Sequence, residues 1–258
     1  MALYSEYLLG TLSALLGAIV GSFLNVCVHR IPSGGSIIFP ASHCPTCKHH
    51  IRFFDNIPII SYILLRGKCR NCNEKISRIY PLTELLTAVM SLFLFQKYGL
   101  SFEYLFSFVF TCTLIVVTFI DLKHQIVPDM ITLPGIPLFA LAAIFCMNVT
   151  LMDSIIGILA GGGFLLLVAL GYKLLTKREG MGGGDIKLLA MLGGFLGWQS
   201  LWFVIMAASF IGAVAGISVM ICKGKDSRYA IPFGPFLSIG AVAYIFWGNM
   251  VMKLLFYR

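Results

Sequence analysis

The chain has 258 residues, of which 59% are hydrophobic and only 12% charged, with a formal charge of +8. Soluble domains run at about 45–50% apolar and about 25% charged, so this composition excludes a water-soluble globular protein and equally a disordered one. With a mean hydropathy of +0.91 and roughly 20 apolar residues per crossing, the chain reads as an all-α polytopic membrane protein of about eight transmembrane helices.

In chain order, the apolar runs predict spans near 7–28, 81–96, 102–120, 131–148, 153–174, 186–199, 201–221 and 233–252. The first lacks a basic n-region, since no Lys or Arg precedes Arg30. It is also too long for a signal h-region, and is read as a retained helix. The second is short, and the sixth and seventh part only around Trp198–Ser200. One large polar insertion, from about 30 to 80, separates the first two spans. The division read from this is a first helix over 1–29, a metal-binding insertion over 30–80 and a membrane core over 81–258.

Basic residues set the orientation. Eight lie in the insertion (Arg30, Lys48, Arg52, Arg66, Lys68, Arg70, Lys75, Arg78), joined on that side by Lys123, by Lys173, Lys177, Arg178 and Lys187, and by Lys223, Lys225 and Arg228. Lys97, Lys253 and Arg258 fall on the other side. The positive-inside rule then puts the insertion in the cytoplasm and both termini outside. On this reading the excess charge serves topology and does not mark a nucleic-acid surface. Glycines four apart (Gly17 and Gly21, Gly157 and Gly161, Gly193 and Gly197, Gly212 and Gly216) and the run Gly161–Gly163 predict close helix packing.

Four of the eight cysteines form Cys44-Pro45-Thr46-Cys47 and Cys69-Arg70-Asn71-Cys72, with 21 residues between the pairs. Two such knuckles supply four thiolates for a tetrahedral structural zinc site, and a reducing cytoplasmic location would keep them free. Two disulfides or a redox pair is the competing reading. His43, His49 and His50 lie nearby but are expected at the surface, because four sulfurs already complete the coordination. Cys27, Cys112, Cys146 and Cys222 lie in or at the ends of spans and read as small hydrophobes.

Acidic side chains beside apolar helices are costly. Asp121 closes the third span and Asp185 opens the sixth, after Gly182, Gly183 and Gly184. Two further spans separate them, so both emerge at one face. Paired carboxylates in a poorly hydrated cleft share a proton, and one can then activate water while the other donates to a carbonyl. The plainer reading keeps both as helix-terminal acids. Asp129 is expected to cap the fourth span, Glu84 to sit in a first helical turn, and Glu103 and Asp153 to start helices on the opposite face.

Taken together, these residues resemble the bifunctional type IV prepilin peptidases, the leader peptidase/N-methyltransferases. The resemblance runs from about residue 21 to 240. Its motifs are Gly21-Ser22-Phe23-Leu24-Asn25-Val26, His29-Arg30-Ile31-Pro32, both cysteine pairs, Asp55-Asn56-Ile57-Pro58, Ser61-Tyr62, Arg66-Gly67-Lys68-Cys69 and Tyr80-Pro81-Leu82-Thr83-Glu84. Asp121 through Pro128-Asp129, Gly182 through Ala190, and Ile231-Pro232-Phe233-Gly234-Pro235 complete the series. The resemblance implies a GxGD-type aspartyl protease with Asp121 and Asp185 as catalytic pair and Gly182, Gly184 and Lys187 in the supporting loop. It implies an inner-membrane enzyme that cuts the basic leader of a prepilin or pseudopilin after a glycine, in pilus assembly or type II secretion. It further implies N-methylation of the new terminus with S-adenosylmethionine as donor, and Gly67 is the residue taken for methyl transfer. Two other readings compete: a transporter or proton-coupled channel with Asp121 and Asp185 as relay acids, and a presenilin-like protease, whose Pro-Ala-Leu signature is absent.

Overall fold

The computed structural model describes residues 2–177, 182–223 and 231–256. Among the described residues the chain is all-helical, with no strand beyond two isolated bridges. The helices are α1 (Ala2–Arg30), α2 (Ile60–Leu64), α3 (Ile79–Tyr98), α4 (Phe102–His124), α5 (Asp129–Cys146), α6 (Leu151–Thr176), α7 (Gly183–Leu196), α8 (Gln199–Lys223) and α9 (Gly234–Phe256). Each predicted span has a helix, and the boundaries shift by a few residues. Among the described residues, six helices are long and apolar enough to cross a membrane: α1, α3, α4, α5, α6 and α8.

The sixth predicted span forms a helix of its predicted length, three residues earlier in the chain, and it is short for a crossing. α7 has 14 residues, about 21 Å of helix, against a hydrocarbon core of about 30 Å. The chain falls into two compact units, residues 1–116 and 117–258.

In the first unit α1 and α3 pack side by side because glycine lets their backbones approach. A Cβ at Gly17 would lie 2.7 Å from the Thr87 carbonyl oxygen, and one at Gly21 would lie 2.7 Å from Glu84 Cα. Polar groups stitch the same seam. Ser91 Oγ donates to the Ser13 carbonyl at 2.7 Å, and Asn25 Nδ2 to the Tyr80 carbonyl at 3.1 Å. Glu84 departs from its expected place. It lies beyond the first turn of α3 and is buried, where it accepts the Ile59 backbone N–H at 2.7 Å. Its role is therefore tertiary; the helix dipole does not account for it.

α7 forms the centre of the second unit. Its residues Leu188–Phe195 are all buried, as expected for a helix apolar on every side, and it packs against α5, α6, α8 and α9. Gly157 and Gly193 meet backbone to backbone, each facing the other's carbonyl, and a Cβ at Gly161 would lie 2.5 Å from the Leu189 carbonyl oxygen. The predicted packing role fails at two glycines. Gly197 is not in a helix interior but caps α7 with φ +80°, and Gly163 has nothing within 4 Å of its would-be Cβ.

Candidate active site

Asp121 lies in the last turn of α4, three residues from the helix end at His124, and is only 4% exposed. A carboxylate at that depth needs a donor. It has one in the backbone N–H of Gly234, the first residue of α9, which reaches Asp121 Oδ2 at 3.1 Å. This approach requires glycine: a Cβ on residue 234 would stand 2.7 Å from that same oxygen and 3.4 Å from Val127 Cγ2.

Asp185 lies in the first turn of α7, three residues past the N-cap Gly182. Its neighbour Gly184 packs on Val127, the residue that also meets Gly234 beside Asp121. The structure thus brings the segments carrying two acids 64 positions apart in sequence to one side chain. Gly184 explains how the chain turns in: its would-be Cβ lies 2.7 Å from Val127 Cβ and 3.2 Å from the Val127 carbonyl oxygen, so α7 starts in contact with the segment before α5. Val127 touches both Gly184 and Gly234 and is the common wall of the site. Gly182 and Gly183 instead have open space around them and are exposed.

Lys187, one turn inside α7, donates to both oxygens of Asp129 at 2.7 Å. Asp129 does not cap α5 as expected: Pro128 is the N-cap, Asp129 is the first helical residue, and its carboxylate pairs with this lysine instead. The ion pair ties the starts of α5 and α7 together beside the two acids. Arg178 and the residues through Met181 lie outside the described residues, as do Lys225 and Arg228. On the remaining acids, Asp153 is in the first turn of α6, where it accepts the Thr150 backbone-capping hydroxyl, Trp198 Nε1 at 3.0 Å and Gln199 Nε2 at 3.1 Å. Glu103 opens α4.

The cysteine module repeats one local design. The Cys44 N–H bonds the His49 carbonyl and the Lys48 N–H bonds the Cys44 carbonyl, both at 2.9 Å. In the second loop the Cys69 N–H bonds the Glu74 carbonyl at 2.8 Å and the Asn73 N–H the Cys69 carbonyl at 3.0 Å. Each knuckle turns through a left-handed residue, Lys48 at φ 59° and Asn73 at φ 57°. The four thiols are free, and their sulfurs all lie within 4.8 Å of one another. Cys44 Sγ and Cys72 Sγ are 3.8 Å apart. Zinc–sulfur bonds of about 2.3 Å in tetrahedral geometry require sulfurs about 3.8 Å apart, so the donor set fits that metal. The backbone amide of His49, and then the Asn71 side-chain amide at 3.7 Å, lower the Cys47 thiol to about 6, which favours the thiolate that metals bind. His43, His49 and His50 are not part of the cluster. Gly67 is buried at φ +66°, and a Cβ there would lie 2.9 Å from the Tyr62 hydroxyl.

Two family matches cover most of this architecture. Residues 15–98 match the Bacterial Peptidase A24 N-terminal domain, and residues 108–217 match the Type IV leader peptidase family. The chain belongs to the type IV leader peptidase family. Among curated relatives, the prepilin leader peptidase/N-methyltransferase of Pseudomonas aeruginosa is 37% identical over 262 residues, covering 93% of this chain and 90% of the relative. The protein of that name from Aeromonas hydrophila is 38% identical with 93% and 91% covered, and that from Neisseria gonorrhoeae 41% identical with 88% and 87% covered. No solved structure matches. The chain is accordingly a membrane enzyme of this family, with the peptidase and methyltransferase activities for which its relatives are named.

The Gly234 amide and the Val127 wall were missed as site features by sequence reading. The signal was present in the paired prolines Pro232 and Pro235 around Gly234, which mark a helix start at a point of close approach.

Proposed function

We propose that this member of the type IV leader peptidase family cleaves the basic leader of a type IV prepilin or pseudopilin after a glycine, and that Asp121 and Asp185 are its catalytic pair. The observation that carries this reading is the convergence of both acids' segments on Val127, with Asp121 buried and one of its oxygens fixed by the Gly234 N–H.

Two carboxyls acting in one cleft cannot both ionise easily, so in the proposed mechanism the pair shares one proton. The ionised member takes a proton from water as it attacks the scissile carbonyl, and the protonated member donates to the developing oxyanion. The proton then passes to the leaving amine as the peptide bond breaks. Gly234 keeps Asp121 oriented, Gly182 and Gly183 leave room for a substrate backbone, Gly184 seats α7 on Val127, and the Lys187–Asp129 pair sets the start of α7. Catalysis belongs at the cytoplasmic face of the bacterial inner membrane, where the basic residues of the insertion place the ends of α4 and α7. In this topology the eight predicted spans, the short α7 among them, cross or enter the bilayer, and the termini lie outside. The chain divides into the first helix (1–29), the cysteine insertion (30–80) and the protease core (81–258).

In the insertion, Cys44, Cys47, Cys69 and Cys72 would hold structural zinc, and four sulfurs leave no open position for chemistry. The relatives' names support N-methylation of the new N-terminus, for which S-adenosylmethionine supplies an electrophilic methyl group. Gly67 is assigned to that activity. Its surroundings are those of a packed turn, so its influence runs through Tyr62 and the shape of the module.

The test is incubation of the purified protein with a prepilin, with and without S-adenosylmethionine, followed by mass spectrometry of the product's N-terminus. Leader loss in both reactions and a 14 Da gain only with the donor are expected. An intact leader would reject the protease assignment.

A further inference from the structure

The short helix α2 is inverted for a helix that faces water. Its serine, Ser61, points inward, 6% exposed, and donates to the Phe54 carbonyl at 2.9 Å. Ile60, Ile63 and Leu64 are 56%, 67% and 75% exposed. Positions i, i+3 and i+4 share one helix face, so the three make a continuous apolar ridge.

The height of this ridge is fixed by a spanning helix. Ile59, just before α2, donates its backbone N–H to Glu84 Oε2 at 2.7 Å. Glu84 is the sixth residue of α3, about 7.5 Å along the helix from its start. The tether holds Ile59 at φ 62° and ψ −50°, and the Ile60 N–H closes a three-residue turn on the Pro58 carbonyl at 2.5 Å. β-branched residues rarely adopt that conformation, and it persists only where the surroundings over-determine it. The buried Glu84 carboxylate is that constraint. α3 has 20 residues, about the length of the hydrocarbon core. The start of α3 therefore falls at the boundary between acyl chains and headgroups, and Glu84 lies about 7.5 Å inside it, within the roughly 5–10 Å to which an interfacial helix buries its apolar face. The insertion around the ridge carries eight Lys and Arg against Asp55 and Glu74, a charge suited to anionic headgroups.

We propose that α2 is an interfacial membrane anchor, with Ile60, Ile63 and Leu64 seated in the acyl–headgroup boundary of the bilayer that α1 and α3 cross, and anionic lipid as the partner. Water does not cover the ridge; lipid does. Glu84 holds α2 at that depth and with it the height of the cysteine module. This anchor does not depend on which residues perform the cleavage.

The test uses the full-length protein in nanodiscs of phosphatidylethanolamine and phosphatidylglycerol containing a phospholipid with a diazirine on its acyl chain. After irradiation, adducts are mapped by peptide mass spectrometry. Adducts are expected on Ile60, Ile63 and Leu64 as well as on exposed α6 positions such as Leu159 and Leu167. The variant Ile60→Ser/Ile63→Ser/Leu64→Ser is expected to lose adducts on the α2 peptide by about tenfold, as apolar interfacial burial is removed, with α6 labelling unchanged as the control for folding. A wild-type protein labelled on α6 but not on α2 would overturn the anchor. So would loss of α2 labelling on adding a prepilin transmembrane peptide, which would make the ridge a polypeptide-docking surface instead.

Discussion

Replacing Gly234 by Ala probes the site without touching either acid. The added methyl carbon would start 2.7 Å from Asp121 Oδ2 and 3.4 Å from Asp121 Cγ. Ordinary carbon–oxygen contact begins at roughly 3.4 Å, so the carboxylate must withdraw by roughly 0.7 Å. The Gly234 N–H bond, now 3.1 Å, would then pass beyond hydrogen-bond range. Loss of a hydrogen bond to a charged group costs about 1.5–3 kcal/mol, which is roughly a 10- to 150-fold fall in rate if the orientation serves the transition state. The assay is kcat/KM for prepilin cleavage by the purified variant in lipid. Gly163→Ala is the matched control: its Cβ would meet nothing within 4 Å in the same unit, and alanine suits a helix interior better than glycine. If Gly234→Ala cleaved within twofold of the parent, the claim that this amide orients Asp121 would fail.

Three further outcomes follow from the packing and the cysteine module. Gly157→Ala drives a methyl group into the Gly193 carbonyl, backbone against backbone. It is expected to destabilise the protein by roughly 3 kcal/mol or more, read as a lowered thermal midpoint, while Gly171→Ala, which meets nothing, leaves that midpoint within a degree or two of the parent's. Cys44→Ser breaks the four-sulfur set and should reduce bound zinc from about one per chain to near zero, since closed structural sites need all four ligands. Elemental analysis measures that stoichiometry, and limited proteolysis within 30–80 reports the loosened insertion. Gly67→Ala forces a non-glycine residue to φ +66° and presses on Tyr62, a strain of about 1–2 kcal/mol. It should depress methylation by mass spectrometry more than leader cleavage, and an equal loss of both would remove Gly67 from the methyl-transfer assignment.

Much of this fold could be read from local pattern. Apolar runs mark where helices lie because the bilayer sets their length, and the spacing within each cysteine pair is itself a geometric statement about a knuckle. The short α7 was less legible. Its composition is as apolar as a span, but that composition reflects burial among α5, α6, α8 and α9 as well as lipid. Hydropathy does not separate the two. Glu84 was misplaced for a related reason: the residue's partner, the Ile59 amide, is 25 positions away, and proximity to Pro81 suggested a helix start instead.

The candidate site divides in the same way. The positions of Asp121 and Asp185 at helix ends were visible, because a carboxylate in apolar surroundings stands out by its cost. What orients Asp121 was not, because the donor is a backbone N–H 113 positions downstream and every residue but proline carries one. The prolines flanking Gly234 hint at it, and the requirement for a missing Cβ there settles it. The Lys187–Asp129 pair, 58 positions apart, likewise combines two residues whose charges were noted and whose partnership was not.

The most direct test of the catalytic pair is single-turnover cleavage of a prepilin by Asp121→Asn and by Asp185→Asn, each reconstituted in lipid and shown to be folded by its thermal midpoint. Each substitution nearly preserves volume and removes one ionisable group, and each should slow cleavage by about a thousandfold or more, because neither acid can act without the other. Cleavage at the parental rate by either folded variant would contradict the account.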